Sequence, residues 1–335
     1  MELIINRSTN PAYNLALEEY ALTKMNRDVI ILWRNASAVI IGRNQNALEE
    51  MDMNYIRDHD ITVIRRQSGG GAVFHDLGNI NYTVIHEMGK DDFSNYRKFT
   101  APICDFLQSL GVNAQLQGRN DLTINDMKFS GNAQAVKNGR IMHHGTIMFH
   151  ADVAHLAGAL RPNKTKIESK GVKSIRSRVT NVADHLPKPM DVEEFFERLA
   201  GYFRAHTQGI QEYRLTPADI VAVEQLVTEK YGTWEWNIGR SPAYNYEKSI
   251  RFPFGIVDIR LTAEAGIIKE LNIFGDFFGM QEKSALEQCL IGVRHDRASV
   301  SKAISEVDLQ QYIHGISGEE FLDLFNSYFF LQCTT

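Results

Sequence analysis

Cysteine is scarce in this chain: Cys104, Cys289 and Cys333 are the 3 among 335 residues. Their wide spacing excludes a paired-cysteine metal site and a disulfide framework, and it fits a reducing, cytoplasmic setting. No apolar run approaches the roughly 18–20 residues of a membrane span. The opening MELIINRSTNPAYN joins no basic region to an apolar core, so no secretory leader is expected. Excess positive charge is missing too. A net charge of −5 and a pI near 6.1 give no general attraction to nucleic acid or anionic membranes. GxxxxGK[ST] does not occur, which excludes a P-loop NTPase at motif level, and neither HExxH nor CxxC is present. Internal repeats and low-complexity tracts are lacking as well. What remains is an ordinary globular composition, 44% hydrophobic and 23% charged, long enough for one large domain and a smaller one.

Against these absences stands one concentrated feature, Arg65-Arg66-Gln67-Ser68-Gly69-Gly70-Gly71-Ala72-Val73-Phe74-His75-Asp76. Three glycines follow an apolar strand, Ile61–Ile64, and two arginines. Glycine lets backbone N–H groups approach a ligand and allows positive φ. Paired guanidinium groups suit phosphate or carboxylate. The run reads as a small-anion site or, equally, as a glycine-rich hairpin with solvated arginines.

Asn10-Pro11 predicts an N-cap and first helical residue, opening a helix to about Met25. Strands are expected at Val29–Trp33 and Ala38–Ile41, and a hairpin at Ala72–Phe74 and Ile80–Ile85. A helix over Tyr96–Leu110 should stop at Gly111. Asn125-Asp126 and Asn138-Gly139 mark two further hairpins, the second with the strongest short turn signal. Helices are expected near Asp152–Leu160, Val192–His206 and Pro217–Tyr231. Breakers and tryptophans between Tyr231 and Pro253 suggest a boundary, giving domains 1–245 and 250–335. The second should hold a hairpin, Ser249–Leu261 with Gly266–Phe274, and two or three helices. Many strands without a βαβ rhythm indicate an α+β fold with mixed or antiparallel sheets.

Several residues invite chemistry. Asp121, in Gly118-Arg119-Asn120-Asp121, is a carboxylate of the kind that meets Mg²⁺ when phosphates supply the other ligands; the same residues also make a plain turn. Lys128 lies between Met127 and Phe129 on a strand and points opposite to both, toward solvent or toward a polar site. His143 and His144 are adjacent and face opposite ways. Cys104 sits in an apolar helical pattern and reads as a packed small hydrophobe. From Arg161 to Arg178 the chain is basic, with Lys164, Lys166, Lys170, Lys173 and Arg176. That stretch is a solvated loop or a cover for phosphates or an acidic partner.

Blocks in one order along most of the chain resemble the lipoate–protein ligase A family. They are Tyr13-Asn14-Leu15-Ala16-Leu17-Glu18-Glu19, Leu32-Trp33-Arg34-Asn35, Val39 to Asn46, RRQSGGGAVFHDLGN, GRNDL, KFSG, HHGT and KGVKSIRSRVTN. The likeness thins past Tyr231. It implies a large biotin-ligase-like α+β catalytic domain with a small C-terminal α+β accessory domain. It also implies a two-step reaction, in which lipoate and ATP with Mg²⁺ give lipoyl-AMP and the lipoyl group then passes to a lysine. The implied acceptors are apo lipoyl domains of 2-oxoacid dehydrogenase complexes and the glycine-cleavage H protein; the implied enzyme is a cytoplasmic monomer with no nucleic-acid or membrane partner.

By the same resemblance, Arg66, Gly71, Ala72, Val73, Phe74 and Lys128 hold the nucleotide, with Asn120 and Asp121 near adenylate or Mg²⁺. Lys128 also contacts the lipoyl carbonyl as the catalytic residue. Leu15, Leu17 and Trp33 line the acyl tunnel, and Arg65, Ser68, Gly70 and His75 finish its polar end. The position of Gln67 carries no expected role. Two other readings remain: an ATP-independent lipoyl or octanoyl transferase, which uses a cysteine thioester, and a non-catalytic lipoyl-domain-binding protein.

Overall fold

The computed structural model describes residues 1–325 apart from 46, 161–178, 238–245, 265–266 and 296. It divides into two compact units. The first comprises Met1–Ile41, Ala47–Ser68 and Ala72–Arg240; the second comprises Gly42–Asn46, Gly69–Gly71 and Ser241–Thr335.

The first unit runs β1 (Glu2–Ile5), α1 (Pro11–Thr23), β2 (Val29–Trp33), β3 (Ala38–Ile41), α2 (Ala47–Glu50), α3 (Met53–Asp58), β4 (Thr62–Arg65), β5 (Val73–His75), β6 (Asn79–Glu87) and α4 (Tyr96–Ser109). It continues through β7 (Ala114–Gln117), β8 (Asp121–Ile124), β9 (Met127–Lys137), β10 (Arg140–Met148), α5 (Val153–Ala159), α6 (Val192–His206), β11 (Gln211–Glu212), α7 (Pro217–Leu226) and α8 (Trp234–Asn237). Eight strands form one sheet in the order β11-β1-β2-β6-β10-β9-β8-β7, and β4-β3-β5 form a second.

Alternation along β2 sorts the core into two layers. Ile30 and Leu32 pack with Phe106 of α4 and Phe195 of α6. Ile31 and Trp33 pack with Leu15, Leu17 and Leu22 of α1. The large sheet is therefore covered on both faces. A separate apolar group joins β3 to Ile56 of α3 and Ala159 of α5.

Local signals explain the elements that position the site. Asn10 accepts from the N–H groups of Ala12 and Tyr13, and Pro11 begins α1. Asn125 and Asp126 turn at φ of 51° and 62°, and Asn138 and Gly139 at 53° and 72°, the left-handed pairs that two-residue hairpins need. Gly111 has φ of 84° just past α4.

Two expected hairpins are different. Ala72–Phe74 and Ile80–Ile85 do not pair: β5 pairs with β3, while β6 lies between β2 and β10. Asp76 makes the handover, accepting from Gly78 N at 2.9 Å and from Asp152 N at 2.7 Å. Ser249–Leu261 is not one strand. Pro253 lacks an N–H for the ladder, and Gly255 turns at φ of 146°, so the chain folds back there.

The second unit holds β12 (Tyr246–Phe252), β13 (Gly255–Glu264) and β14 (Ile267–Gly275) as an antiparallel sheet, followed by α9 (Lys283–Leu290), α10 (Arg297–Ala303) and α11 (Gly318–Asp323). Its own core includes Val257, Ile259, Ile273, Leu286 and Phe321. The two early segments are built into it. Gly275 N donates to Asn44 O at 2.7 Å, and a Cβ on Gly69 would stand 2.0 Å from Phe277 O.

Candidate functional site

Lys128 lies next to a register shift between β8 and β9, the kind of irregularity that re-aims a side chain. Its amine pairs with Asp121 at 2.8 Å. Gly131 leaves room for it, since a Cβ there would stand 3.1 Å from Lys128 Nζ. Lys128 opens on a cavity of about 200 Å³. Ala72, Val73 and Phe74 form one wall; Ser130, Gly131, Thr146 and Met148 form another; Asn79, Asp152 and Leu156 close it. This volume is below the roughly 300–1,000 Å³ of whole-ligand pockets. It admits a ring-sized part of a ligand, between apolar walls and one lysine.

The glycine run is anchored from both glutamates of α1. Glu19 accepts from Gln67 Nε2 at 2.7 Å, Tyr231 OH at 2.9 Å and Lys230 Nζ at 2.9 Å, with Lys137 Nζ at 3.3 Å. Burial pushes the Glu19 carboxyl up, but these donors outweigh it and hold it below the ordinary value. Glu18 faces His144 Nδ1 at 2.9 Å, and His144 Nε2 meets Ser68 Oγ at 2.6 Å. Thr83 donates to Glu18 at 2.5 Å and accepts from Trp33 Nε1 at 3.0 Å. Gln67, to which the sequence assigned no role, is thus one of two tethers.

The arginines are drawn into the protein. Arg65 is 1% exposed; its Nε reaches Trp236 O at 3.0 Å and its Nη2 reaches Asn237 O at 3.2 Å. Arg66 donates to Ser68 Oγ at 3.0 Å and to Ile40 O at 3.0 Å. Gly70 has φ of 93°, and both Gly70 and Gly71 belong to the second unit.

His75 is buried, with Nδ1 3.1 Å from Asn35 Nδ2 and Nε2 without a partner. Burial first, then Arg66 and His144, push its titration down to about 3, so the ring is neutral. Trp33 meets it edge-on at 6.1 Å between ring centroids. Leu15, Leu17 and Trp33 are core residues and do not line the cavity beside Lys128.

Asn120 donates to Asn132 O at 2.5 Å, which ties the start of β8 to β9. His143 stacks on Phe99 at 4.7 Å, on the opposite face from His144. Cys104 is half-buried, and burial pushes its thiol up to about 11. Among the described residues no cluster of three or more His, Cys, Asp or Glu side chains could hold a metal, and no helix is long and apolar enough to cross a membrane. The basic stretch Arg161–Arg178, including Lys170, Lys173 and Arg176, lies outside the described residues, as does Cys333. Sequence reasoning missed Thr146 and Asp152 in the cavity wall; the position of Thr146 directly after His143-His144-Gly145 was the available signal.

Two family profiles match the chain. The lipoyl protein ligase A/B catalytic domain covers residues 10–204, and the bacterial lipoate protein ligase C-terminus covers residues 241–325. The lipoate-protein ligase LplJ of Bacillus subtilis is 43% identical over 97% of this chain and 99% of its own length. Lipoate–protein ligase 1 of Staphylococcus aureus is 42% identical over 95% and 98%. Among solved structures, a lipoate-protein ligase A bound with ATP superposes with a TM-score of 0.62 at 28% identity, covering 71% of this chain and 98% of that one. P. falciparum LipL1 in complex with lipoate shares the fold, with a TM-score of 0.78 at 24% identity over 96% and 97% of the two chains.

Proposed function

This chain belongs to the lipoate–protein ligase family, and on that premise we propose that it joins lipoate to ATP as lipoyl-AMP, releases pyrophosphate, and passes the acyl group to a lysine of a lipoyl domain. The observation that carries this reading is that Lys128 lines one cavity together with Ala72–Phe74. A carboxylate becomes an acyl donor only after its oxygen is made a leaving group. Bringing that carboxylate to a triphosphate requires fixed positive charge at the reacting atoms.

In this reading Ala72, Val73 and Phe74 hold the adenine end. Lys128 reaches the phosphate and the acyl oxygen, with Arg66 and Gly71 beside them. Leu15, Leu17 and Trp33 select the chain by apolar burial, worth about 0.8 kcal/mol per methylene. Ser68, Gly70 and His75 complete the polar end. Arg65 supports the run through the carbonyls of Trp236 and Asn237. Asp121 is a partly exposed carboxylate beside Lys128, a donor set that fits Mg²⁺ arriving with the triphosphate, where the ion would offset phosphate charge. The acceptors are lipoyl domains of 2-oxoacid dehydrogenase complexes and the glycine-cleavage H protein, modified by a cytoplasmic monomer.

A cysteine-based transferase is disfavoured by the one described cysteine of the large unit, since Cys104 has a raised thiol and does not line the cavity. The test is lipoate-dependent pyrophosphate release from ATP, followed by mass gain on an apo lipoyl domain. Wild type should show both, and Lys128→Ala should lose pyrophosphate release while keeping its melting temperature. Lipoyl movement between proteins without pyrophosphate release would overturn the ligase mechanism. Full activity of Lys128→Ala would overturn the role of that lysine.

A further inference from the structure

A line of amides runs through the first unit and ends on His75. Asn14 Nδ2 lies 2.9 Å from Ser8 O, 2.9 Å from Arg34 O and 2.8 Å from Asn35 Oδ1. Backbone carbonyls only accept, so the Asn14 atom facing them is nitrogen. Its Oδ1 accepts from Asn6 Nδ2 at 2.8 Å. Asn35 therefore turns its oxygen to Asn14 and its nitrogen to His75 Nδ1, at 3.1 Å. A histidine nitrogen that accepts carries no proton, which places the His75 proton on Nε2. Asn14, Asn35 and His75 are 1%, 0% and 3% exposed, so water does not loosen the assignment.

The far end of this line is a donor with nothing to donate to. His75 Nε2 is buried and has no hydrogen-bond partner, an arrangement that leaves its desolvation uncompensated. Its electrostatic neighbours include Arg66. A neutral N–H beside a guanidinium suits an anionic oxygen.

We propose that Asn14 and Asn35 are positioning residues that fix His75 as an Nε2–H donor to the carboxylate oxygen of the lipoyl substrate. The inference rests on the reading above that His75 stands at the polar end of the acyl site. Asn14 and Asn35, two residues of the blocks that carry the family resemblance, thereby gain a role. Asn35→Asp reverses the arrangement, because a carboxylate cannot donate to Nδ1. The histidine proton moves to Nδ1, and Nε2 then turns a lone pair toward the substrate carboxylate.

The test is ¹⁵N NMR of histidine-labelled full-length protein together with steady-state kinetics. Wild type should show His75 with a protonated Nε2 and an unprotonated Nδ1, and lipoate should shift the Nε2 signal. Asn35→Asp should move the proton to Nδ1. It should raise the KM for lipoate about tenfold, the loss of one charge-assisted hydrogen bond, while leaving the KM for ATP unchanged. A wild-type His75 protonated at Nδ1 overturns the inference without recourse to any variant. So does a wild-type Nε2 signal that lipoate leaves unmoved, or a proton transfer in Asn35→Asp with no change in lipoate KM. Wild type with the expected tautomer and lipoate response but no pyrophosphate release would overturn the ligase reading and leave the tautomer assignment standing.

Discussion

Glu18 and Glu19 sit side by side on a helix, yet each holds a different neighbour in the glycine run, one through His144 and one directly. Such buried titratable groups make stability depend on pH. His75 titrates at about 3 in the folded protein and near 6.5 when unfolded. The unfolded chain therefore takes the proton first. Its contribution to stability is complete above pH 6.5 and is lost as pH falls toward 3. His143, also pushed down by burial, acts with the same sign. Glu19 and Asp219, the latter held at about 2, add their losses below the ordinary carboxylate range. Urea unfolding at pH 7, 6 and 5 should show stability falling, by at most about 1.4 kcal/mol per pH unit for each histidine. His143→Gln should flatten that slope; an unchanged slope would mean that the ring is not held neutral. At this scale the sequence was only partly legible. Its alternation placed His143 and His144 on opposite faces correctly. It had no means of showing that Arg65 spends its guanidinium on the carbonyls of Trp236 and Asn237, a pairing that spans most of the first unit.

Among the elements, those with chemical punctuation were the legible ones. Asn10-Pro11, Asn125-Asp126, Asn138-Gly139 and Gly111 each state a backbone conformation, and the structure has it. Where the pairing partner is remote, local pattern misled. Val73–His75 and Asn79–Glu87 look like a hairpin from composition, but β5 takes β3 as its neighbour and β6 takes β2 and β10. The short β1 and the two-residue β11 carry too little pattern to be seen. β9 and β10 are held together near the site by more than their turn. A Cβ on Gly145 would stand 2.2 Å from Asn132 Oδ1 and 2.6 Å from the Tyr82 ring, the two groups joined by a 2.5 Å hydrogen bond. Gly145→Ala should therefore lower stability by about 1–3 kcal/mol through overpacking. The check is a lower urea midpoint at unchanged slope. A midpoint equal to wild type would show that β10 yields there.

At the scale of the molecule, the large sheet and the three-stranded sheet share one apolar layer, in which Ile31 and Trp33 pack with Ile40 and Ile64, whereas the C-terminal sheet closes over its own apolar group. The size of the chain and the cluster of breakers after Tyr231 made an expectation of two domains readable. The chain's passage between them was not, because the segments concerned, Gly42–Asn46 and Gly69–Gly71, are five and three residues long and carry no apolar pattern. Their membership of the second unit has a consequence for how this polypeptide can be divided. A break between Arg240 and Ser241 does not separate two self-sufficient bodies, because the fragment 241–335 lacks the backbone acceptor of Asn44 for Gly275 and the close approach of Gly69 to the Phe277 carbonyl. Produced as two polypeptides, residues 1–240 and 241–335 should complement one another, co-eluting as a one-to-one pair on gel filtration, whereas 241–335 alone should unfold at lower urea than in the pair. Independent elution with equal stability would show that the eight early residues are dispensable to the unit they join.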